Sequence, residues 1–171
     1  VVSSRFFPDA PLQRCGHGDF VETPGGEVYV VHLTGRPLAG LNRCTLGRET
    51  AIQKAQWGED GWLRLCGDPL KPQEHVPAPA LPPCPFPAEP VRHDFDSTEL
   101  PAPFQWLRTP FPERLFSLTA RPGHLRLTGR ESVGSWFEQA LVARRQTAFA
   151  YDAETVVEAL PKTYQQMAGL I

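Results

Sequence analysis

The chain has 171 residues, 41% of them hydrophobic, and a formal net charge of -2. That composition can build one ordinary domain or two small ones, and with no Lys- or Arg-rich block it lacks the footprint of a nucleic-acid binder or a polybasic membrane surface. The longest apolar stretches, such as Val28 to Val31, are far too short to span a bilayer, and Val1 to Arg5 has no signal-peptide h-region. The chain therefore reads as soluble, without nucleic-acid or membrane partners, and a cytoplasmic location is compatible with it.

The first elements in chain order are strands. Asp19 to Thr23 and Glu27 to Leu33 are rich in β-formers and flank Pro24-Gly25-Gly26, which predicts a hairpin. Thr50 to Trp57 and Trp62 to Cys66 flank Gly58-Glu59-Asp60-Gly61 in the same way. Two successive hairpins suit a propeller blade, and any meander equally well.

Residues 69–90 break the pattern, holding nine of the chain's nineteen prolines. Proline fixes φ and cannot donate to a ladder, so this stretch reads as an extended linker. Its Leu81 and Phe86 favour a strap lying across a domain surface, the rival being a low-complexity tail.

Beyond it, short strands are expected at His93 to Phe95, Phe104 to Arg108, Phe116 to Leu118, His124 to Leu127, Leu141 to Arg144 and Ala153 to Glu158. Their spacing argues for a β-sandwich. Ser135 to Ala140 can continue as a helical turn, but no sustained 3.6-residue period appears, so helix content should be low. The chain opens without methionine, and Gln165 to Ile171 reads as the beginning of a buried strand. Both ends are expected to lie inside a longer polypeptide.

Few residues offer chemistry. Cys15, Cys44, Cys66 and Cys84 form no C-x-x-C pair and read as buried free thiols. His17 stands between Gly16 and Gly18, where the backbone can turn sharply towards a ligand or ion, or where the imidazole is simply a hydrogen-bonded turn residue. His32, His75, His93 and His124 have no partner at metal-ligand spacing. Arg48 follows Gly47 at the mouth of a strand, suited to a forked bond with hydroxyls or a carboxylate, or to a salt bridge with a neighbouring acid. Trp57, Trp62, Trp106 and Trp136 could stack on sugar rings, with core or cross-strand packing the plainer reading. No nucleophile elbow or phosphate-cradling loop is present.

Taken together, the motifs are more specific. Gly16-His17-Gly18-Asp19-Phe20-Val21-Glu22-Thr23-Pro24, Val30-Val31-His32-Leu33-Thr34-Gly35-Arg36-Pro37, and Cys44-Thr45-Leu46-Gly47-Arg48-Glu49-Thr50-Ala51-Ile52-Gln53-Lys54 resemble, in order and spacing, the last part of the five-bladed propeller of family 43 glycoside hydrolases of the β-xylosidase and α-L-arabinofuranosidase type. Phe104 to Arg108, Leu125 to Ser132 and Phe137 to Gln146 resemble the concanavalin-like β-sandwich that follows it. The resemblance implies an all-β chain: the C-terminal part of a propeller over 1–68, a Pro-rich linker over 69–90, and the first part of a β-sandwich over 91–171.

It also implies a hydrolase that removes terminal xylose or arabinose from plant-derived oligosaccharides with inversion, by a general acid and a general base. In the family both lie upstream of any motif matched here, as does a third acid that tunes the general acid. None of Asp9, Asp19, Glu22 or Glu49 sits in a matching motif, so no catalytic carboxylate is assigned and the chain alone is expected to be inactive. Arg48 matches the arginine that lines the pocket for the terminal sugar. His17 matches a histidine near the propeller axis facing hydrated calcium or a similar divalent cation, and no organic cofactor is implied. The sandwich segment that closes the pocket in relatives is placed past Ile171, and the full-length parent is expected to be a homo-oligomer. The rival from another class is a non-catalytic carbohydrate-binding or assembly β-sandwich, with the first 68 residues as an accessory meander.

Overall fold

The computed structural model describes residues 1–132 and 134–171. Among them the regular structure is β-strand and one short 3₁₀ turn, and no helix is long and apolar enough to cross a membrane. The chain divides into two compact units, Val1–Ala80 with Thr147–Ile171, and Leu81–Gln146.

The first unit is built on one four-stranded antiparallel sheet in the order β1 (Gln13–Glu22), β2 (Val28–Gly35), β3 (Glu49–Trp57), β4 (Leu63–Leu65). The first hairpin closes through a three-residue loop. Thr23 N–H donates to Glu27 O at 2.8 Å, Gly26 N–H to Thr23 O at 2.9 Å, and Gly26 takes φ 79°, the left-handed position such a loop reserves for glycine. In the second, Gly61 at φ 76° does the same, and the Asp60 carboxylate accepts Trp62 N–H and a fork from Arg64 at 2.7 and 2.6 Å.

Register decides which side chains are inside. Val28, Val30, His32 and Thr34 of β2 share one face with Ala55, Gln53, Ala51 and Glu49 of β3 opposite them, and Leu65 lies across from Ala55. All four β2 residues of that face are buried. Val28, Val30, Ala55 and Leu65 form the core, with Val2 and Leu63 packed against it; burying each of Val28, Val30 and Leu65 contributes about 1.5–3 kcal/mol by leaving water.

The strand β4 pairs only with Ala55 to Trp57, so Glu49 to Gln53 is an outer edge. The segment after β4 is bound to it. The buried Gln53 carboxamide accepts Gln73 N–H at 2.9 Å and donates to Gln73 O at 2.8 Å. Tyr29 Oη donates to Pro77 O at 3.0 Å, and Ala80 N–H donates to Glu27 Oε2 at 2.7 Å. Lys54 Nζ holds Oε1 of Glu27 at 2.7 Å, and the lysine and the Ala80 N–H together keep the Glu27 carboxyl below its ordinary range. Residues 73–80 are thus strapped to the sheet by backbone groups that proline neighbours cannot spend on a ladder. The expectation for the next apolar residues fails: Leu81 is 46% and Phe86 95% exposed.

The second unit holds two small antiparallel pairs, β5 (Phe104–Trp106) with β8 (Val142–Arg144) and β6 (Phe116–Ser117) with β7 (Arg126–Leu127). Leu115 and Leu118 are its buried apolar residues, Trp106 packs on Phe116, and Phe104 is flanked by His93 and Phe95. The Glu138 carboxylate ties Arg114 and Arg130 together at 2.8 and 3.3 Å.

Several expected elements do not form. His93 to Phe95, Ala153 to Glu158 and Gln165 to Ile171 are not strands, and residues 151–171 are exposed throughout. Ser135 to Ala140 makes no helix, whereas Pro112–Arg114 forms an unforeseen 3₁₀ turn with proline at its start. The terminal run expected to begin a buried strand, Gln165 to Ile171, has only Ile171 as a β-branched residue and no strand beside it among the described residues, and an unpaired strand leaves its backbone groups unsatisfied. The cysteines are free as expected, but Cys15, Cys44 and Cys66 are only partly buried and Cys84 is exposed.

Candidate functional site

His17 lies in an interrupted part of β1. Gln13 faces Gly35, Gly16 faces Leu33 and Asp19 faces Val31, so three residues of β1 advance for every two of β2, twice in succession. Each extra residue is absorbed by a left-handed backbone, Arg14 at φ 55° and His17 at φ 51°. These are consecutive β-bulges, and non-glycine residues in that region cost about 1 kcal/mol each. The next residue must be small: a Cβ on Gly18 would stand 2.8 Å from Val31 O and 3.0 Å from the His32 Cβ. The bulge therefore leaves the His17 imidazole exposed beside a glycine pressed on β2.

Arg48 is the residue before β3. The loop leading to it is fixed by Leu46, only 5% exposed, and by Gly47, at φ 73° with its N–H towards Cys44 O at 3.4 Å. The neighbouring Glu49 faces Thr34 in the ladder, and its carboxylate is gripped by Arg36: Nε to Oε2 at 3.0 Å, Nη2 to Oε1 at 2.8 Å. Arg36 lies over the Phe149 ring, 5.2 Å from its centroid.

Register places Arg48 at one end of the sheet and His17 within β1. Gly16 pairs with Leu33 and Leu33 with Thr50, and His17 and Arg48 lie on opposite sides of that line, so they are separated by two strand spacings, about 10 Å, and by about three residues along the strands. His17 lines a cleft of about 240 Å³ with Val1, Val2, Asp19, Phe20 and Leu63, and Arg48 lines neither this cleft nor the 390 Å³ one beside Arg36, Glu49 and Glu74.

Among the described residues the carboxylates considered from the sequence form no acid–base pair. Asp19 Oδ1 accepts Phe20 N–H at 2.8 Å, Glu22 is exposed, and Glu49 is in its ion pair with Arg36. Nor do the residues fit a calcium site, because no group of three His, Cys, Asp or Glu side chains converges among the described residues, and calcium takes about six to eight oxygens. Sequence reasoning missed two features here. Arg36, in Gly35-Arg36-Pro37, is the partner of Glu49. His32, 2% exposed, bonds Leu33 O through Nδ1 at 2.9 Å, while its buried Nε2 has no partner among the described residues. Trp57 packs edge-on against Phe20 at 5.5 Å, and Trp62 is 70% exposed.

Comparison with known proteins gives this geometry its setting. The family described as "Glycosyl hydrolases family 43" matches residues 1–63, and "Beta xylosidase C-terminal Concanavalin A-like domain" matches residues 92–171. Xylosidase/arabinosidase 43B of Humicola insolens is 53% identical over 170 residues, covering 99% of this chain and 31% of the relative. The Beta-xylosidase of Bacillus subtilis is 44% identical over 180 residues, 100% of this chain and 33% of the relative. The solved structure of xylan β-1,4-xylosidase from Bacillus halodurans superposes with a TM-score of 0.81 at 52% identity, over 86% of this chain and 28% of that one. The chain belongs to glycoside hydrolase family 43, of the β-xylosidase and arabinofuranosidase type, with its all-β architecture of propeller and concanavalin-like sandwich. It spans about a third of the length of the curated relatives it matches.

Proposed function

We propose that the full-length protein is an exo-acting glycoside hydrolase that releases xylose or arabinose from short plant-derived oligosaccharides with inversion of configuration, and that it works as a homo-oligomer. The observation that carries this is the 53% identity to a xylosidase/arabinosidase over 99% of the chain. In this reading residues 1–68 belong to the catalytic propeller, 69–90 link it to the sandwich, and 91–171 begin that sandwich. The general acid and base, about 6.5–9.5 Å apart in an inverting site, lie outside residues 1–171.

What this chain supplies is binding. Arg48, the residue before β3 at the end of a fixed loop, brings a permanent cation with a forked donor set to the terminal sugar, and its charge favours the ionised form of a nearby carboxylate. His17, exposed on the bulge of β1, is placed in this reading near the propeller axis, and the residues of this chain do not by themselves hold a metal ion there. The experiment compares the purified 171-residue chain with the full-length protein on 4-nitrophenyl xyloside and arabinoside. Turnover by the full-length protein alone is expected. Turnover by the short chain would mean that its own carboxylates do the chemistry, and saturable binding of xylo-oligosaccharides by it would favour a self-sufficient binding module.

A further inference from the structure

The loop between β2 and β3 begins and ends with charges that meet. Arg36 is the first residue after β2, Glu49 the first of β3, and Thr34 pairs with Glu49 across the ladder. Nε of Arg36 reaches both carboxylate oxygens, at 3.3 and 3.0 Å, and Nη2 adds a third bond at 2.8 Å. The guanidinium is itself held, over the Phe149 ring and with Nη2 3.5 Å from Thr147 O. Half-exposed ion pairs contribute little stability, typically about 0–1 kcal/mol, so the worth of such a fork is in direction: two parallel bonds fix the plane and position of the carboxylate.

The residue whose place depends on that carboxylate is Arg48. One peptide bond separates it from Glu49, and on its other side the chain is set by Gly47 at φ 73° and by buried Leu46. Strand ends fray unless they are tied down, and among the described residues no strand pairs with the outer edge of β3 from Glu49 to Gln53. The fork supplies the tie at the strand's first residue.

We infer that Arg36 is a positioning residue for substrate binding, which acts by clamping Glu49 and thereby fixing the backbone from which Arg48 projects. This rests on the reading of Arg48 as the sugar-binding arginine. Arg36 need not touch the sugar, and its effect passes through its neighbour's place.

The test is a double-mutant cycle in the full-length protein, with kcat and KM measured on 4-nitrophenyl xyloside and melting temperature on every variant. Arg36→Ala is expected to lower kcat/KM roughly ten- to hundredfold, the scale of a misplaced binding group, and Arg36→Lys to recover only part of it, since one ammonium cannot span both oxygens. In an Arg48→Ala background the further loss from Arg36→Ala should vanish, which a merely structural role would not produce. Where Arg36→Ala does not fold, Glu49→Gln opens the clamp with little change of shape and should show the same non-additivity. Arg36→Ala without effect, or losses that multiply with those of Arg48→Ala, would overturn the inference while leaving Arg48 in the site. A harmless Arg48→Ala would overturn the reading beneath it as well.

Discussion

Gln53 and Gln73 are joined as two strands would be: the side-chain amide of the first accepts the N–H of the second at 2.9 Å and donates to its C=O at 2.8 Å. One buried side chain thus closes the sheet edge that β4 leaves open, and seats a proline-flanked segment that cannot form a ladder of its own. Replacing Gln53 by Leu keeps the volume and strands both groups of Gln73. Unsatisfied buried backbone groups cost about 1–3 kcal/mol, so urea unfolding of Gln53→Leu should show a loss of that order. An unchanged midpoint would mean that water replaces the amide freely.

Asp60 gives a pH signature. The Arg64 fork, with the Trp62 N–H, holds its carboxyl down to about 2 from the ordinary 3.8. Because the folded value lies below the unfolded one, the turn's contribution is present in full above about pH 4 and is lost as pH falls through 2. NMR titration of the Asp60 carboxyl should give a midpoint near 2, and Arg64→Ala should raise it towards 3.8. Equal midpoints in the two proteins would show that the fork is absent in solution.

The bulge at His17 predicts opposite responses at adjacent positions. Glycine tolerates φ 51° without strain, so His17→Gly should raise stability by up to about 1 kcal/mol, while lowering activity of the full-length protein if the imidazole serves the site. Gly18→Ala places a methyl against Val31 O and should destabilise by about 1–3 kcal/mol. Thermal melts of both variants decide the matter. A destabilised His17→Gly would mean that the imidazole is held by contacts worth more than its strain.

The blade was legible because its signals are local. The Pro24-Gly25-Gly26 and Gly58-to-Gly61 turns fix two hairpins, whereas the buried face of β2 was not legible, since the polar His32 and Thr34 are on it and the apolar Tyr29, Val31 and Leu33 are on the other. What was not legible depends on partners distant in sequence. Val156 and Val157 have strand propensity, yet β-propensity only expresses packing against a neighbour, and Val156 is 98% exposed. The clamp between Arg36 and Glu49 was equally hidden, since nothing in the spacing of those two residues announces that the loop between them folds back. The double bulge of β1 left a trace in Gly16-His17-Gly18, but spacing does not distinguish a bulge from an ordinary turn.

If Arg48 binds sugar from its place before β3, kcat/KM of Arg48→Ala in the full-length protein should fall about hundredfold on 4-nitrophenyl xyloside and arabinoside, the scale of losing a charged hydrogen-bond donor at a binding site. The melting temperature, measured as the control, should hardly move. An unchanged kcat/KM on both substrates would remove Arg48 from the site.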